Sequence, residues 1–268
     1  MRIAIIGGTG TLGRLVAAQL RDRGHEIRVL SRSAPQHRVD LRTGAGLEEA
    51  LRDCQAVVDA SNDSSRDAAQ LLVGGTRRLL AAEQAAGVTH HVGVSVVGCE
   101  MVPLGYFRAK AAQEQVLEHG PVPWTIVRAT QFHELAAATL ASAARWRLVP
   151  VPAVLLQTVA AAEVAAVVAG AAAGSPRAGR VVVAGPEVST ARAMAATWRQ
   201  VTRSPAVAVP VWLPRRIGRL LRGGALTAPN PDVRGTITFA AWLEATCRRQ
   251  QGAEGQTAGE YRSAARPG

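Results

Sequence analysis

The sequence predicts an α/β fold: a doubly wound parallel sheet followed by a small C-terminal lobe. Two observations carry this. Short apolar runs alternate with helix-periodic stretches through the first half of the chain, and strands separated by helices of that length need crossovers, which makes the sheet parallel. A glycine-rich turn also joins the first run to the first helix, the junction where such sheets approach a ligand.

In order, residues 2–6 (RIAII) read as a buried strand. Residues 11–23 space Leu12, Leu15, Val16 and Leu20 as a helix does and stop at Gly24. Residues 26–30 are the next strand, 46–54 a helix and 56–60 a strand, after which Asn62, Asp63 and Ser64 supply turn and cap residues. Residues 66–86 read as one long helix, 91–97 as a strand, 107–119 as a helix closed by Gly120 and Pro121, and 124–129 as a strand. Beyond 130 the pattern loosens, with helices over 131–144, 161–173, 190–201, 215–222 and 239–249 and strands over 180–184 and 206–211. Residues 1–250 are therefore expected to form one domain, with a core over 1–130 and a substrate-facing lobe over 131–250. The small polar residues of 251–268 predict a disordered tail.

Composition narrows the class. With 48% hydrophobic residues in 268, the chain is too apolar for disorder and long enough to bury a sizeable core. Cys54, Cys99 and Cys247 are odd in number, far apart and without metal-ligand spacing, which predicts thiols in a reducing, cytoplasmic setting and no metal site. The first apolar run is too short for a signal-peptide core. The longest apolar stretch, 148–173, is broken by Pro150, Pro152, Gln157 and Glu163, so no membrane span is expected. The net charge is +11, and Lys110 is the only lysine among 31 basic residues. Arginine replaces lysine except where a compact, tunable ammonium is required, which singles out Lys110. The acid-free stretch 188–231 carries seven arginines; without a nucleic-acid motif it reads as a solvated face. The expected partner is a small-molecule substrate, with monomer or homodimer left open.

The sharpest motif is Gly7-Gly8-Thr9-Gly10-Thr11-Leu12-Gly13, set between strand and helix. Glycines allow a tight turn and close approach to a pyrophosphate, and the helix N-terminus supplies amide donors. This is the signature of a Rossmann-type dinucleotide site. The second strand ends in Ser31-Arg32-Ser33, with no acid until Asp40. Arginine and hydroxyls there suit a 2′-phosphate, so NADP(H) is favoured over NAD(H). Tyr106 and Lys110 lie four apart on a predicted helix and so share a face. A nearby ammonium lowers a phenol's pKa and makes it a usable proton donor. Gln131, Phe132 and His133 follow a strand's C-terminal end, where loops line the ligand crevice, and are candidate substrate contacts.

Residues 7–13, the Tyr106/Lys110 pair and the segment 120–134 (GPVPWTIVRATQFHE) resemble an atypical short-chain dehydrogenase/reductase of the NmrA-like, NAD(P)H-binding branch. The likeness extends over about residues 1–245 and includes 235–243 (GTITFAAWL). It implies that Gly7, Thr9, Gly10, Thr11, Leu12 and Gly13 hold the pyrophosphate and Arg32, beside Ser31, the 2′-phosphate. Asp40 and Leu41 would lie near adenine, and Ser61 and Asn62 along the cofactor. Tyr106 would be the acid, Lys110 the ribose ligand and Ser95 the third catalytic group. The implied activity is NAD(P)H-dependent reduction of a small carbonyl or quinone-like substrate. The alternative within the same branch is a non-catalytic NADP(H)-sensing regulator.

Overall fold

The computed structural model describes residues 1–264, with side chains described through Gln251. The first half builds β1 (Arg2–Ile6), α1 (Thr11–Asp22), β2 (Glu26–Ser31), β3 (His37–Arg38), α2 (Leu47–Leu51) and β4 (Ala56–Asp59). A π-helical turn (Gln70–Gly75) leads into α3 (Thr76–Ala85), followed by β5 (His90–Val96), α4 (Gly105–Glu118) and β6 (Trp124–Ala129). The second half adds α5 (His133–Ala144), β7 (Leu148–Pro152), β8 (Leu155–Leu156), α6 (Ala161–Ala173) and β9 (Gly179–Ala184). Last come β10 (Ser189–Thr190), α7 (Ala191–Thr202), β11 (Val207–Val211), α8 (Arg215–Arg222), β12 (Val233–Arg234) and α9 (Phe239–Ala264). The expected tail over 251–268 begins within α9; the side chains from residue 252 and the backbone beyond 264 lie outside the described part.

The main sheet has the order β12-β9-β6-β5-β4-β1-β2-β3 and is parallel throughout. A parallel sheet is covered on both faces, and β1 explains how. Its side chains alternate: Ile3 and Ile5 join Leu12, Val16 and Leu20 of α1 and Val164 and Val168 of α6. Ala4 and Ile6 join Leu47 and Leu51 of α2, Leu79 and Leu80 of α3 and Leu117 of α4. Each fully buried Leu, Ile or Val contributes about 1.5–3 kcal/mol, so these two layers fix the chain's winding.

The second half does not stay apart from the first. α6 packs on α1, while β9 and β12 extend the main sheet. What remains outside is a lobe of α5, α7 and the start of α9, joined by the pairs β7–β11 and β8–β10. The single helix expected over 66–86 is instead a π-helical turn running into α3. Gly75 sits there against Leu41, where an added Cβ would lie 3.1 Å from the Leu41 Cβ. Such a widened turn re-aims neighbouring side chains, and Leu71 within it lines the large cavity at the C-terminal ends of the strands.

Candidate active site

Strand order reverses between β1 and β4, and the C-terminal ends of β1, β2, β4, β5 and β6 open there onto one cavity of about 1160 Å³. That exceeds the usual 300–1,000 Å³ or so of a single small-molecule pocket, leaving room for a dinucleotide and a second small ligand. Its floor is the glycine loop. Gly7 has φ +69, and an added Cβ would meet the Ala60 carbonyl oxygen at 2.7 Å. At Gly13 a Cβ would lie 2.7 Å from the Gly8 Cα, so α1 packs directly on the loop. No side chain caps α1 and its first turn holds no acid. The amides of Thr11, Leu12 and Gly13 therefore present donors and a positive dipole end to the cavity they line.

At one end lie Ser31, Arg32, Asp40 and Leu41. Arg38 lies there too: β3 pairs with β2 so that Arg38 stands opposite Ser31. Sequence reasoning missed Arg38, because a two-residue strand has no periodicity to read. Asp40 is engaged by its own turn, its carboxylate accepting the Arg42 amide at 2.8 Å.

The middle of the cavity rests on a buried polar network. Asp59, at the end of β4, accepts from the Ser61 amide at 2.9 Å and from Gln113 Nε2 at 3.0 Å. Gln113 also donates to Thr76 at 3.0 Å and accepts from Lys110 Nζ at 3.0 Å. Lys110 Nζ further donates to the carbonyls of Val94, at 3.0 Å, and Ser61, at 3.3 Å. The lone lysine thus ties α4 to the ends of β4 and β5. Burial pushes its ammonium down from the ordinary lysine range, with Asp59 and Glu114 pulling the other way.

Tyr106, Lys110 and Ser95 all line this cavity, as do Gln131 and Phe132, Ser61 and Asn62, and every loop residue expected to hold pyrophosphate. One electrostatic expectation fails. Burial pushes the Tyr106 phenol up to about 12, and Lys110 does not offset it. The reason is direction: the ammonium is turned into Val94, Ser61 and Gln113. Ser95 Oγ lies 4.0 Å from Cys99 Sγ, and burial beside Glu114 pushes that thiol up to about 12, leaving it protonated.

His133 also departs from the expectation. It is fully buried, its Nδ1 bonded to Thr158 Oγ1 and its Nε2 to the Ile237 carbonyl, each at 2.9 Å, with Phe239 and Trp242 packed beside it. It does not line the cavity; Glu134, Leu135 and Ala138 of the same helix do. Helical geometry separates them, since a residue two before Leu135 points to the opposite side.

The residues fit a dinucleotide. Ser61 Oγ and both amide atoms of Gln131 are buried without a partner and line the cavity, as groups awaiting a polar ligand do. Fold and cavity define a dinucleotide-binding protein of the doubly wound class. More particularly, the chain belongs to the NAD(P)H-binding family, whose model matches residues 7–174. A (4-alkanoyl-5-oxo-2,5-dihydrofuran-3-yl)methyl phosphate reductase of Streptomyces griseus is 33% identical over 76% of this chain and 74% of its own. The photosystem II assembly factor Ycf39 of Synechocystis is 30% identical over 49% of this chain, which spans under half of that protein. An NADPH-dependent quinone oxidoreductase of Escherichia coli, solved with NADPH, superposes with TM-score 0.75 at 18% identity, over 91% of this chain and 99% of its own. A nucleoside-diphosphate-sugar epimerase of Staphylococcus aureus gives TM-score 0.75 at 16% identity over 91% and 100%. At those identities the two structures speak to the fold. No helix among the described residues is long and apolar enough to cross a membrane.

Proposed function

We propose that the chain is an NADPH-dependent reductase of the short-chain dehydrogenase/reductase type, acting on a small carbonyl or quinone-like group. The observation that carries this is the meeting of Tyr106, Ser95 and Lys110 with the glycine loop on one cavity. Support comes from the Streptomyces relative, itself a reductase that matches most of this chain.

NADPH would be held by the amides of residues 11–13 at its pyrophosphate and by Arg32 and Arg38 at its 2′-phosphate. Its reduced nicotinamide supplies a hydride. A phenol at about 12 stays protonated near neutrality, so Tyr106 serves as a proton donor and not as a base. That polarity suits reduction, in which a carbonyl oxygen gains negative charge and takes the phenolic proton. Ser95 Oγ orients that oxygen. Lys110 holds the ends of β4 and β5 in register, and would exchange one of its three present acceptors if it held a ribose hydroxyl.

The test pairs an NADPH-binding titration with a screen of carbonyls and quinones that follows NADPH oxidation. Turnover that falls in Tyr106→Phe while NADPH affinity holds supports the reading. Tight NADPH binding without turnover of any substrate overturns it in favour of a cofactor-sensing regulator.

A further inference from the structure

A second small sheet carries a surface with no part in the cavity. β7 and β11 run parallel, with Val207 opposite Leu148, Val209 opposite Pro150 and Val211 opposite Pro152. Side chains alternate along a strand, so these six share one face. The opposite face, Val149, Val151 and Ala208, packs with Ala195 and Ala206. The shared face is apolar at every position, and all but half-buried Pro152 are exposed. A sheet with one solvated face ordinarily sets polar residues there. Exposed tryptophans flank it: Trp146, 80% exposed, precedes β7, and Trp212, 94% exposed, follows β11.

Charge selects what would cover this face. The segments that build it, 135–162 and 188–231, contain no aspartate or glutamate. Arg145, Arg147, Arg203, Arg215 and Arg216, all exposed, adjoin the strand ends. In α8 the apolar residues Ile217, Leu220 and Leu221 turn inward against Val102, Val154 and Leu226, leaving its four arginines to solvent. A second copy of the chain would set basic rim against basic rim. Nucleic acid would leave six apolar side chains without a use, since base edges and phosphates are read by polar groups. Tryptophan at the interface, short apolar side chains below it and arginines at headgroup level match an anionic lipid surface.

We propose that the β7–β11 face, with Trp146, Trp212 and the α8 arginines, docks the protein peripherally on anionic membranes. The site is independent of the reductase reading, because none of these residues lines the cavity.

The test is flotation of the full chain with vesicles of phosphatidylcholine, alone or with about a third phosphatidylglycerol. Binding to the anionic vesicles is expected to be about tenfold or more tighter and to weaken with salt. Bromine-labelled acyl chains should quench tryptophan fluorescence, and the quenching should shrink in Trp212→Ser. Trp212→Ser and Val209→Ser should each weaken binding several-fold, and Arg215→Glu with Arg216→Glu should remove the anionic preference. All these side chains are exposed, and unchanged thermal unfolding confirms that each variant folds. Absence of flotation with anionic vesicles at low salt overturns the proposal, as does equal binding to both vesicle types. So does binding indifferent to the apolar variants but matched by duplex DNA, which means a general polyanion site. A dimer in light scattering that Val209→Ser dissociates, without vesicle binding, assigns the face to self-association instead.

Discussion

Replacing Gly13 and Gly10 separately should divide the glycine loop into a packing part and a binding part. An alanine Cβ at Gly13 would stand 2.7 Å from the Gly8 Cα and nearer still to the Gly7 carbonyl, where ordinary contacts begin at 3.4 Å. Both neighbours are backbone, so no rotamer change relieves the clash, and the loop must withdraw by about 0.7 Å or more. Overpacking of this kind costs about 1–3 kcal/mol. At about 2–4 °C per kcal/mol for a chain of this size, Tm should fall by about 2–12 °C. The same shift misplaces the amides of residues 11–13; losing one charge-assisted hydrogen bond of about 1.5–3 kcal/mol weakens NADPH binding about 10- to 100-fold. Gly10 differs. Its φ of −76° and ψ of 174° suit any residue, and an added Cβ meets only the Gly7 carbonyl oxygen, at 3.2 Å. Gly10→Val should therefore change stability by about 1 kcal/mol or less, a weaker N-cap at most. Its side chain would stand where the pyrophosphate must approach, so NADPH affinity should drop by about a hundredfold. Thermal unfolding by circular dichroism and NADPH titration by fluorescence measure the two effects. A folded Gly10→Val protein that binds NADPH like the wild type would refute the placement of the phosphate site.

Arg32→Ala and Arg38→Ala should each weaken NADPH about tenfold and leave NADH unchanged, and the double variant should bind the two alike; equal affinities in the wild type would contradict this. Tyr106→Phe should lower turnover by about 100-fold or more, and Lys110→Arg by about 10- to 100-fold, because a guanidinium cannot keep the bonds to Val94, Ser61 and Gln113 that hold the ends of β4 and β5. A wild-type rate in Lys110→Arg would remove this lysine from the site. Acid should loosen α4 from the sheet: burial alone would raise the Glu114 carboxyl, but the guanidiniums of Arg128 and Arg180 bonded to it outweigh that and hold it below its ordinary 4.5. Its folded pKa is thus depressed, so its contribution is present above about pH 4.5 and lost as pH falls through the folded value. Urea unfolding followed from pH 7 down through the acid range below pH 4.5 should show this loss, and Glu114→Gln, less stable at pH 7, should show a shallower one.

The winding of the first half and the place of the glycine loop were legible along the chain. Both rest on local patterns: buried runs such as β1 and β4, the 3.6-residue spacing of α1, and glycines whose spacing is itself the chemistry. Lys110 was legible because composition made it an exception. Tertiary structure alone decided the rest. Arg38 reaches the cavity through a two-residue pairing with β2. His133 turns inward because α5 begins there and offers its other side to the cavity. Lys110 gives its ammonium to the buried carbonyls of Ser61 and Val94 and to Gln113, groups brought to it by β4, β5 and the next turn of its own helix. α6 and β9 return to the main sheet, and β7 meets β11, across separations that no local pattern encodes. Spacing along the chain tells which residues share a face; which face meets the cavity, the core or solvent depends on partners distant in sequence.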